Sequence, residues 1–329
     1  MKAKRRQRRL ARLLAACALV VSTSAFAQSY PTRPIRWIVT STPGGAFDLI
    51  SRALVGPMSA GLGQPLVIDN RPGAGGIVGL ESVARAAPDG YTVLTSGLSQ
   101  IVLERFFHEK LPYDPQRDFA PIGTIGELAF ALHVHTSVPV RTLKELVDYS
   151  RANPGKLYYG SAGIGHSFNL ATEMLKQRTG ADLTHVPYKG TAPGLKDLFA
   201  GRIQVMFYPP SGQILSQIRA GVIRPLAAAS HRRLPALPDV PTFQEEGIDS
   251  YNVATWVGLF APAGTPKDVV ARLNRELNRA SSSPEAQKGY EAISMLPNTS
   301  TPEELVQRIS RDTPMWGAVI KSLGIKPEK

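Results

Sequence analysis

Short runs of β-branched and apolar residues alternate with runs of helical spacing, and this alternation restricts the fold more than any other feature. Ile35–Thr40 is a β-type run, and Phe47–Leu62 has apolar residues at helical spacing. Regular βαβ alternation predicts parallel sheets covered by helices on both faces. About eleven strand candidates are many for one open sheet, so we predict two sheets. No flexible linker separates two halves, and we expect Phe130–His135 and Val253–Ala261 to be the crossing strands.

The first 27 residues carry the pattern of a secretory signal peptide and are excluded from the predicted fold. Met1–Arg12 holds seven positive charges and no acid, an apolar run follows over Leu13–Val21, and the A-x-A site lies in Ser24–Ala27. We therefore expect export to the periplasm with cleavage after Ala27. Two variants stay open: a lipoprotein-type cleavage before Cys17 and, because of the paired arginines, a twin-arginine route.

Removal of the signal peptide changes what the composition implies about partners and chemistry. Cys17 is the only cysteine, so the mature chain has no disulfide, thiol nucleophile or thiolate metal site. The formal net charge of +12 falls by seven to +5, which favours anionic ligands mildly. No basic cluster with interleaved aromatic residues follows residue 28, so we expect no nucleic-acid partner.

Four glycine-rich turns stand between a strand and the start of a helix. In a parallel α/β sheet such turns lie at the carboxyl ends of the strands, where glycine lets the backbone approach a ligand closely. The first N–H groups of the following helix are unpaired, so an anion can be held there without a lysine or arginine. The same glycines are also compatible with plain tight turns. The four segments are Ile38–Asp48, Asn70–Gly76, Leu157–Ser167 and Tyr188–Gly194.

A series of short motifs gives the chain a specific resemblance. In order, they are Pro31–Ile35, Pro43–Gly45 with Asp48, Gly63–Pro65, Asn70–Gly76, Pro88–Thr92, Leu111–Pro115 with Asp118 and Phe119, Asn153–Lys156, His185–Gly190, Leu237–Thr242 and Leu259–Pro266. With these motifs the chain resembles the substrate-binding component of tripartite tricarboxylate transporters, the Bug-type periplasmic receptors. The resemblance covers essentially the whole mature chain.

The resemblance implies an α/β fold of the two-lobed, type II periplasmic-binding class (the Venus flytrap), each lobe a mostly parallel sheet flanked by helices. One lobe would comprise residues 28–126 and 252–329, and the other residues 127–251. A small carboxylate would be held between the lobes by main-chain amides and waters, with no cofactor, no metal and no catalysis. The expected protein is a monomer that delivers its ligand to a two-component membrane permease or presents it to a sensor protein.

The positions that match the family's ligand loops define the predicted binding site. They are Thr42, Pro43, Gly44, Gly45, Ala46, Phe47 and Asp48 after the first strand, Ser96 and Gly97 after the third, Ser161, Ala162, Gly163, Gly165, His166 and Ser167 in the second lobe, Lys189, Gly190, Thr191, Ala192 and Pro193 in the next loop, and Tyr208. By the resemblance, Asp48 stands at a helix start, where it can cap free N–H groups.

Several of these positions depart from the family's usual pattern. Ala46 and Phe47 replace a glycine and a small hydroxyl residue, His166 replaces a small hydroxyl residue, and Tyr208 replaces an aspartate. The segment Gln100–Leu103 stands where an Asn-Pro often follows the third-strand turn. Because these changes add aromatic side chains near the expected cleft, we predict a ligand with an aromatic or otherwise bulky apolar part.

Three sharper alternatives remain. Ser161 lies in a near miss to the G-x-S-x-G nucleophile elbow, so a serine hydrolase with His166, His185 or His231 as base and Asp239 as orienting group is the enzyme alternative. His133 and His135 share one face of a strand, which is compatible with a metal pair but more typical of partly exposed histidines. Gly73-x-Gly75 follows a strand, but Val78 occupies the position of the third glycine of a dinucleotide motif. We therefore interpret this segment as a bracing turn.

Overall fold

The computed structural model describes residues 30–188, 190–249, 251 and 253–324. The predicted signal peptide, with Cys17, lies outside the described residues. The residues from Arg33 onward form one compact unit, which holds two β-sheets. The predicted lobe boundaries, at residues 126/127 and 251/252, stay a prediction.

The strands follow the β-branched and apolar runs, which fit the half-buried, pleated surface of a sheet. In chain order they are β1 (Ile35–Val39), β2 (Leu66–Asn70), β3 (Thr92–Gly97), β4 (Phe119–Leu128), β5 (Phe130–His135), β6 (Tyr158–Ser161), β7 (Thr184–Pro187), β8 (Val205–Tyr208), β9 (Ile223–Ala229), β10 (Thr255–Pro262) and β11 (Met295–Pro297).

The helices begin where capping residues or glycines end the preceding turn. The first helix ends at Gly63 in the left-handed conformation, and Thr301 with Glu304 forms a complete capping box on the last one. In chain order the helices are α1 (Ala46–Leu62), α2 (Ile77–Ala84), α3 (Leu143–Ala152), α4 (Ser167–Thr179), α5 (Thr191–Phe199), α6 (Gly212–Arg219), α7 (Lys267–Ser281), α8 (Pro284–Ala292) and α9 (Pro302–Ser322). Shorter turns are the 3₁₀ turns Ala74–Gly76 and Glu104–Phe106 and the π-helical turn Ser99–Leu103.

In each sheet most strands run in one direction, although five of the nine neighbouring pairs that the structure describes are antiparallel. The first has the order β11-β4-β10-β3-β1-β2, in which β1, β2, β3 and β4 run in one direction and β10 and β11 in the other. The second has the order β7-β6-β8-β5-β9, in which only β5 is reversed among the described strands. The predicted α/β fold with two sheets is confirmed.

The chain passes between the sheets at two places. A single residue, Ala129, separates β4 in the first sheet from β5 in the second, and the chain returns to the first sheet before β10. These are the two segments predicted as crossing strands, and both are fully buried except for His135 at the end of β5. Both strands run antiparallel to their neighbours, β5 to β8 and β9 and β10 to β3 and β4.

Buried hydrogen bonds, as well as apolar packing, hold helices against the first sheet. The buried indole of Trp37 donates to Thr95 Oγ1 at 2.7 Å, and that hydroxyl lies 2.8 Å from Ser51 Oγ on α1. Trp256 on β10 donates to Asp312 on α9 at 2.9 Å. These bonds fix helices on the sheet because a buried polar group without a partner is costly. None of the helices in the described part of the chain combines the length and apolar character that a membrane span needs.

Candidate functional site

The loop between β6 and α4 has the backbone of an anion-binding turn. Gly163 and Gly165 have φ values of +131° and +79°, which residues with a Cβ rarely adopt. The loop ends at His166, whose extended backbone and side chain cap the helix: Nδ1 accepts the N–H of Phe168 at 3.3 Å. The amino end of α4 is therefore open toward the space in front of the loop.

His166 is a neutral hydrogen-bond donor in this position. Because Nδ1 accepts the bond from Phe168, the proton of the neutral ring is assigned to Nε2. Burial lowers the pKa of His166 to about 4, so the ring is uncharged at neutral pH. No acceptor for Nε2 is found among the described residues, and the side chain lines a cavity. His166 thus offers one N–H to a bound molecule.

Behind the loop, Ser161 and His185 are in contact. Ser161 Oγ lies 2.7 Å from His185 Nε2 and 2.8 Å from the carbonyl oxygen of Gly163. Asn169 lies on the other side of the imidazole, with Nδ2 3.5 Å from His185 Nδ1 and 2.7 Å from Tyr159 Oη. The Asn169 oxygen accepts the N–H of Gly165 at 2.9 Å.

This network sets the direction of the Ser161–His185 bond. The Gly165 N–H fixes the Asn169 amide, since a flipped amide would bring two donors together. Because the Ser161 hydroxyl donates to Gly163 O at 2.8 Å, the imidazole proton is assigned to Nε2, from which a hydrogen bond is donated to Ser161. A catalytic base needs the opposite polarity, with Nε2 accepting the serine proton. The contact holds the loop in shape, and neither His166 nor Asp239 takes part in it.

The facing wall is built from turns that follow β2 and β3. The π-helical turn Ser99–Leu103 directly follows β3, and such turns are frequent at functional sites. Gln100 donates Nε2–H to the carbonyl of Gly75 at 2.9 Å. One turn later, Glu104 Oε2 lies 2.9 Å from His108 Nε2. Two loops of the first sheet are thereby tied together at the carboxyl ends of its strands.

A cavity of about 620 Å³ lies between these two walls. Its size is in the range of small-molecule sites. Phe107 approaches Gly165 closely at this point, since a Cβ on Gly165 would lie 2.6 Å from the ring. The lining residues come from both sheets' loops and are Gly75, Ser99, Gln100, Leu103, Glu104, Phe107, His108, Ala162, Ile164, Gly165 and His166.

The predicted loop after β1 is held by Asp48. Its carboxylate is 1% exposed and accepts bonds from Gly44 N–H, Arg52 Nε and Asn70 Nδ2, each at 2.8 to 2.9 Å. Burial works against ionisation, but the bonds from Arg52, Gly44 and Asn70 outweigh it and lower the pKa of Asp48. The carboxylate accepts the N–H of Gly44, which precedes the helix. Thr42, Pro43 and Gly44 are exposed, and Gly45 and Ala46 are half-buried.

Ser96 and Gly97 end β3 beside this loop. Ser96 is fully buried. Its hydroxyl and the Ser41 hydroxyl are both buried without a hydrogen-bond partner among the described residues. Gly97 leaves room for the ring of Phe47, whose Cζ would lie 3.2 Å from a Cβ at that position. Phe47 therefore packs onto β3 and is not part of the lining of the 620 Å³ cavity.

The third predicted loop joins β7 to α5. Gly190 has a φ of +107°, Thr191 is half-buried, and Ala192 and Pro193 are exposed. Lys189 lies outside the described residues. The neighbouring Tyr188 hydroxyl donates to Asp197 at 2.8 Å, which anchors the loop to α5.

Two further aromatic side chains lie behind the cavity wall. Tyr208 packs edge-on against Phe168 at 5.5 Å, and Phe168 in turn contacts His166 at 4.6 Å. Tyr208 is therefore separated from the cavity by Phe168. Ser167 is buried at the first position of α4.

The histidine pair on β5 does not form a joint site. His133 is fully buried, which corrects the expectation of two partly exposed histidines, and its Nε2 lies 3.1 Å from the carbonyl oxygen of Tyr208. His135 instead bonds Ser137 through Nδ1 at 2.8 Å. Among the described residues, no group of three or more His, Cys, Asp or Glu side chains is arranged to hold a metal ion.

Sequence reasoning found part of the cavity lining and missed the rest. Ala162, Gly165 and His166 were predicted and lie in it, whereas Glu104, Phe107 and His108 were not singled out. Gly75 lies in Asn70–Gly76, one of the four glycine-rich turns, but it was interpreted as part of a bracing turn and was not among the predicted site residues. A usable signal was the i, i+4 spacing of Glu104 and His108 immediately after the strand β3.

Comparison with known proteins gives one family. A family model described as the tripartite tricarboxylate transporter family receptor matches residues 50–325. Among curated relatives, a UPF0065 protein from the tcbD-tcbE intergenic region of Pseudomonas sp. (strain P51) is 39% identical over 314 residues, covering 94% of this chain and 93% of the relative.

Solved structures agree with this match. The periplasmic binding protein BugD is 32% identical, with a TM-score of 0.77, covering 91% of this chain and 100% of BugD. R. palustris Rpa4515, solved with adipate, is 33% identical with a TM-score of 0.80 and covers 91% and 100% of the two chains. MatC from Rhodopseudomonas palustris, solved with bound malate, is 31% identical with a TM-score of 0.75 and covers 88% and 100%.

Proposed function

The chain belongs to the family of tripartite tricarboxylate transporter receptors, and from this premise we propose that it captures a small carboxylate in the cavity between its two sheets. The observation that carries the proposal is the convergence of the glycine loop before α4, with its neutral His166 donor, on a cavity closed from the other side by the loops of the first sheet. Adipate and malate in the two related structures support a carboxylate as ligand.

The physical case rests on the end of α4. No acceptor among the described residues is found for the N–H of Ile164, and His166 adds a donor on the same side. The positive end of the helix dipole favours negative charge there. Each hydrogen bond to a charged group contributes about 1.5–3 kcal/mol, so a few of them suffice for the roughly 8 kcal/mol of micromolar binding.

We still propose that the ligand has an aromatic or bulky apolar part, but different residues now support this proposal. Phe47 and Tyr208 pack away from the cavity lining, whereas Leu103, Phe107 and Ile164 belong to it. These three side chains can cover an apolar body between the polar walls.

The predicted site residues outside the cavity lining would contact the ligand only after the lobes close. We propose that the lobes, residues 28–126 with 252–329 and residues 127–251, move together on the ligand, because it gains contacts in the closed state that it lacks in the open one. The loops at Thr42–Asp48 and Gly190–Pro193 and the turn at Ser96 and Gly97 would then supply further main-chain amides. The receptor acts as a monomer in the periplasm and passes its ligand to a two-component permease or a sensor protein.

The serine hydrolase alternative is not favoured by the geometry. Ser161 accepts a hydrogen bond from His185 and donates one to the carbonyl oxygen of Gly163, so it has no base to activate it. We therefore propose that the protein binds its ligand without transforming it.

A thermal-shift screen over aliphatic and aromatic mono-, di- and tricarboxylates tests the function. A ligand at 100 times its dissociation constant should stabilise the mature protein by about 2.7 kcal/mol. Ala162→Phe, which places a ring in the cavity, should abolish the shift.

The matched control is Ala236→Phe, since Ala236 lines a separate cavity of about 420 Å³ beside Arg232 and Tyr290. This variant should leave the shift unchanged. If no carboxylate stabilises the protein, or if Ala162→Phe binds as the unmodified protein does, the proposal is wrong.

A further inference from the structure

The first-sheet wall of the cavity is rich in hydrogen-bond acceptors. Gln100 uses its amide N–H on the Gly75 carbonyl, so its orientation is fixed, and its Oε1 is buried without a partner among the described residues. Glu104 engages Oε2 with His108 and leaves Oε1 without a described partner, beside Gly75. Both side chains line the cavity. The unpaired acceptor that faces the ligand space is therefore Glu104 Oε1, whereas Gln100 Oε1 is buried away from it.

Such an acceptor selects for a donor on the ligand. A buried acceptor without a partner costs free energy, so a bound group that donates to it is favoured. The carboxylate of Glu104 also repels a second negative charge in the same cavity. His108 Nε2 lies 2.9 Å from Oε2 and leaves the Oε1 side of the carboxylate to the cavity.

The opposite wall has the complementary chemistry. His166 offers an N–H from Nε2, and the open end of α4 favours an anion. The cavity therefore has a donor wall and an acceptor wall, with Leu103, Phe107 and Ile164 among the lining residues. A ligand that matches both walls carries its negative charge at one end only.

Resting on the proposed function, we infer that the ligand is a carboxylate whose other end bears a hydrogen-bond donor, a hydroxyl or an ammonium group, which Glu104 recognises. Burial raises the pKa of Glu104 and His108 opposes this effect. A second carboxylate at that end is selected against.

Two ligand series with constant length test the inference by calorimetry. The linear series is hexanoate, adipate, 6-hydroxyhexanoate and 6-aminohexanoate, and the aromatic series is 4-methylbenzoate, terephthalate, 4-(hydroxymethyl)benzoate and 4-(aminomethyl)benzoate, each series with one carbon skeleton. In at least one series, the hydroxyl or ammonium member should bind at least 10-fold more tightly than the diacid. Glu104→Gln keeps an acceptor but removes the charge.

The affinities measured with Glu104→Gln distinguish an ammonium ligand from a hydroxyl ligand. In Glu104→Gln an ammonium ligand should lose about 10-fold or more in affinity, a hydroxyl ligand only a few-fold, and the diacid should gain. Glu109→Gln makes the same charge change at an exposed neighbouring residue that does not line the cavity, and it should alter every affinity less than 2-fold.

The outcomes keep this inference apart from the proposed function. Tightest binding of a diacid or of an unsubstituted acid, with ratios unchanged in Glu104→Gln, overturns the inference while the carboxylate receptor stands. The inference is also overturned if neither series binds and the carboxylate identified in the thermal-shift screen lacks a hydrogen-bond donor. A carboxylate from that screen that bears a donor and binds more weakly to Glu104→Gln supports the inference. Absence of binding by any carboxylate overturns the proposed function itself.

Discussion

Replacing Gly165 by alanine should weaken the contact between the two walls of the cavity. Gly165 has a φ of +79°, and a Cβ there would lie 2.6 Å from Cε1 and Cζ of Phe107 and 2.8 Å from its Cδ1. The left-handed backbone costs an alanine about 1–2 kcal/mol, and the overlap with the ring costs about 1–3 kcal/mol more.

Only the second of these costs depends on Phe107. In a double-mutant cycle, Phe107→Ala should therefore relieve about 1–3 kcal/mol of the destabilisation caused by Gly165→Ala. Urea unfolding followed by circular dichroism measures the four free energies. Gly163→Ala is the matched control, because Gly163 also has a positive φ but its nearest neighbour, Tyr188 O, would be 3.9 Å away.

The changes in unfolding free energy caused by Gly163→Ala and Phe107→Ala should be additive in the double variant. If the coupling energy between Gly165→Ala and Phe107→Ala lies within about 0.5 kcal/mol of zero, the contact across the cavity does not exist in solution. If Gly163→Ala couples as strongly, the effect arises from the loop backbone and not from the ring.

Three further predictions concern groups outside this contact. Burial lowers the pKa of His133 from 6.5 to about 4, so the free energy of unfolding is highest above pH 6.5 and falls by roughly 3 kcal/mol as the pH falls toward 4. Urea titrations should show that the stability of His133→Gln depends less on acid pH, and an unchanged pH profile would contradict this. A fluorophosphonate probe should not label Ser161, since His185 donates to it, and labelling that disappears in Ser161→Ala would restore the hydrolase alternative. Asp48→Ala should destabilise the fold by about 2–3 kcal/mol because Gly44 N–H and the Arg52 guanidinium lose their acceptor, and a change below 0.5 kcal/mol in chemical unfolding would refute that role.

Local patterns were sufficient for most of the secondary structure. The strand Phe130–His135 has the bounds that the sequence predicts, and the helix Leu143–Ala152 begins and ends at local signals. Thr142 caps the helix by accepting the N–H of Glu145 at 3.1 Å, and the chain leaves the helix at Asn153. Such signals act within a few residues, so they can be identified without knowledge of the fold.

The strand β4 shows where local patterns fail. Pro121, Gly123 and Gly126 interrupt its apolar run, and no strand was predicted there, yet it lies between β10 and β11 in the first sheet. A Cβ on Gly123 would lie 2.6 Å from Asn274 Nδ2, and one on Gly126 2.8 Å from Leu296 O. The glycines are thus required by close neighbours from distant parts of the chain, which strand propensity does not represent.

The sequence by itself determined which backbone groups are available to an anion, because glycine turns and helix starts are properties of neighbouring residues. Together with the resemblance to the family's ligand loops, it predicted Ala162, Gly165 and His166 in the binding site, and all three line the cavity. Only the tertiary structure determined that Gln100 and Glu104 face the same space, since the crossings before β5 and β10 bring the loops of the two sheets together. Proximity between residues some sixty positions apart depends on the path of the whole chain, and no local pattern carries that information.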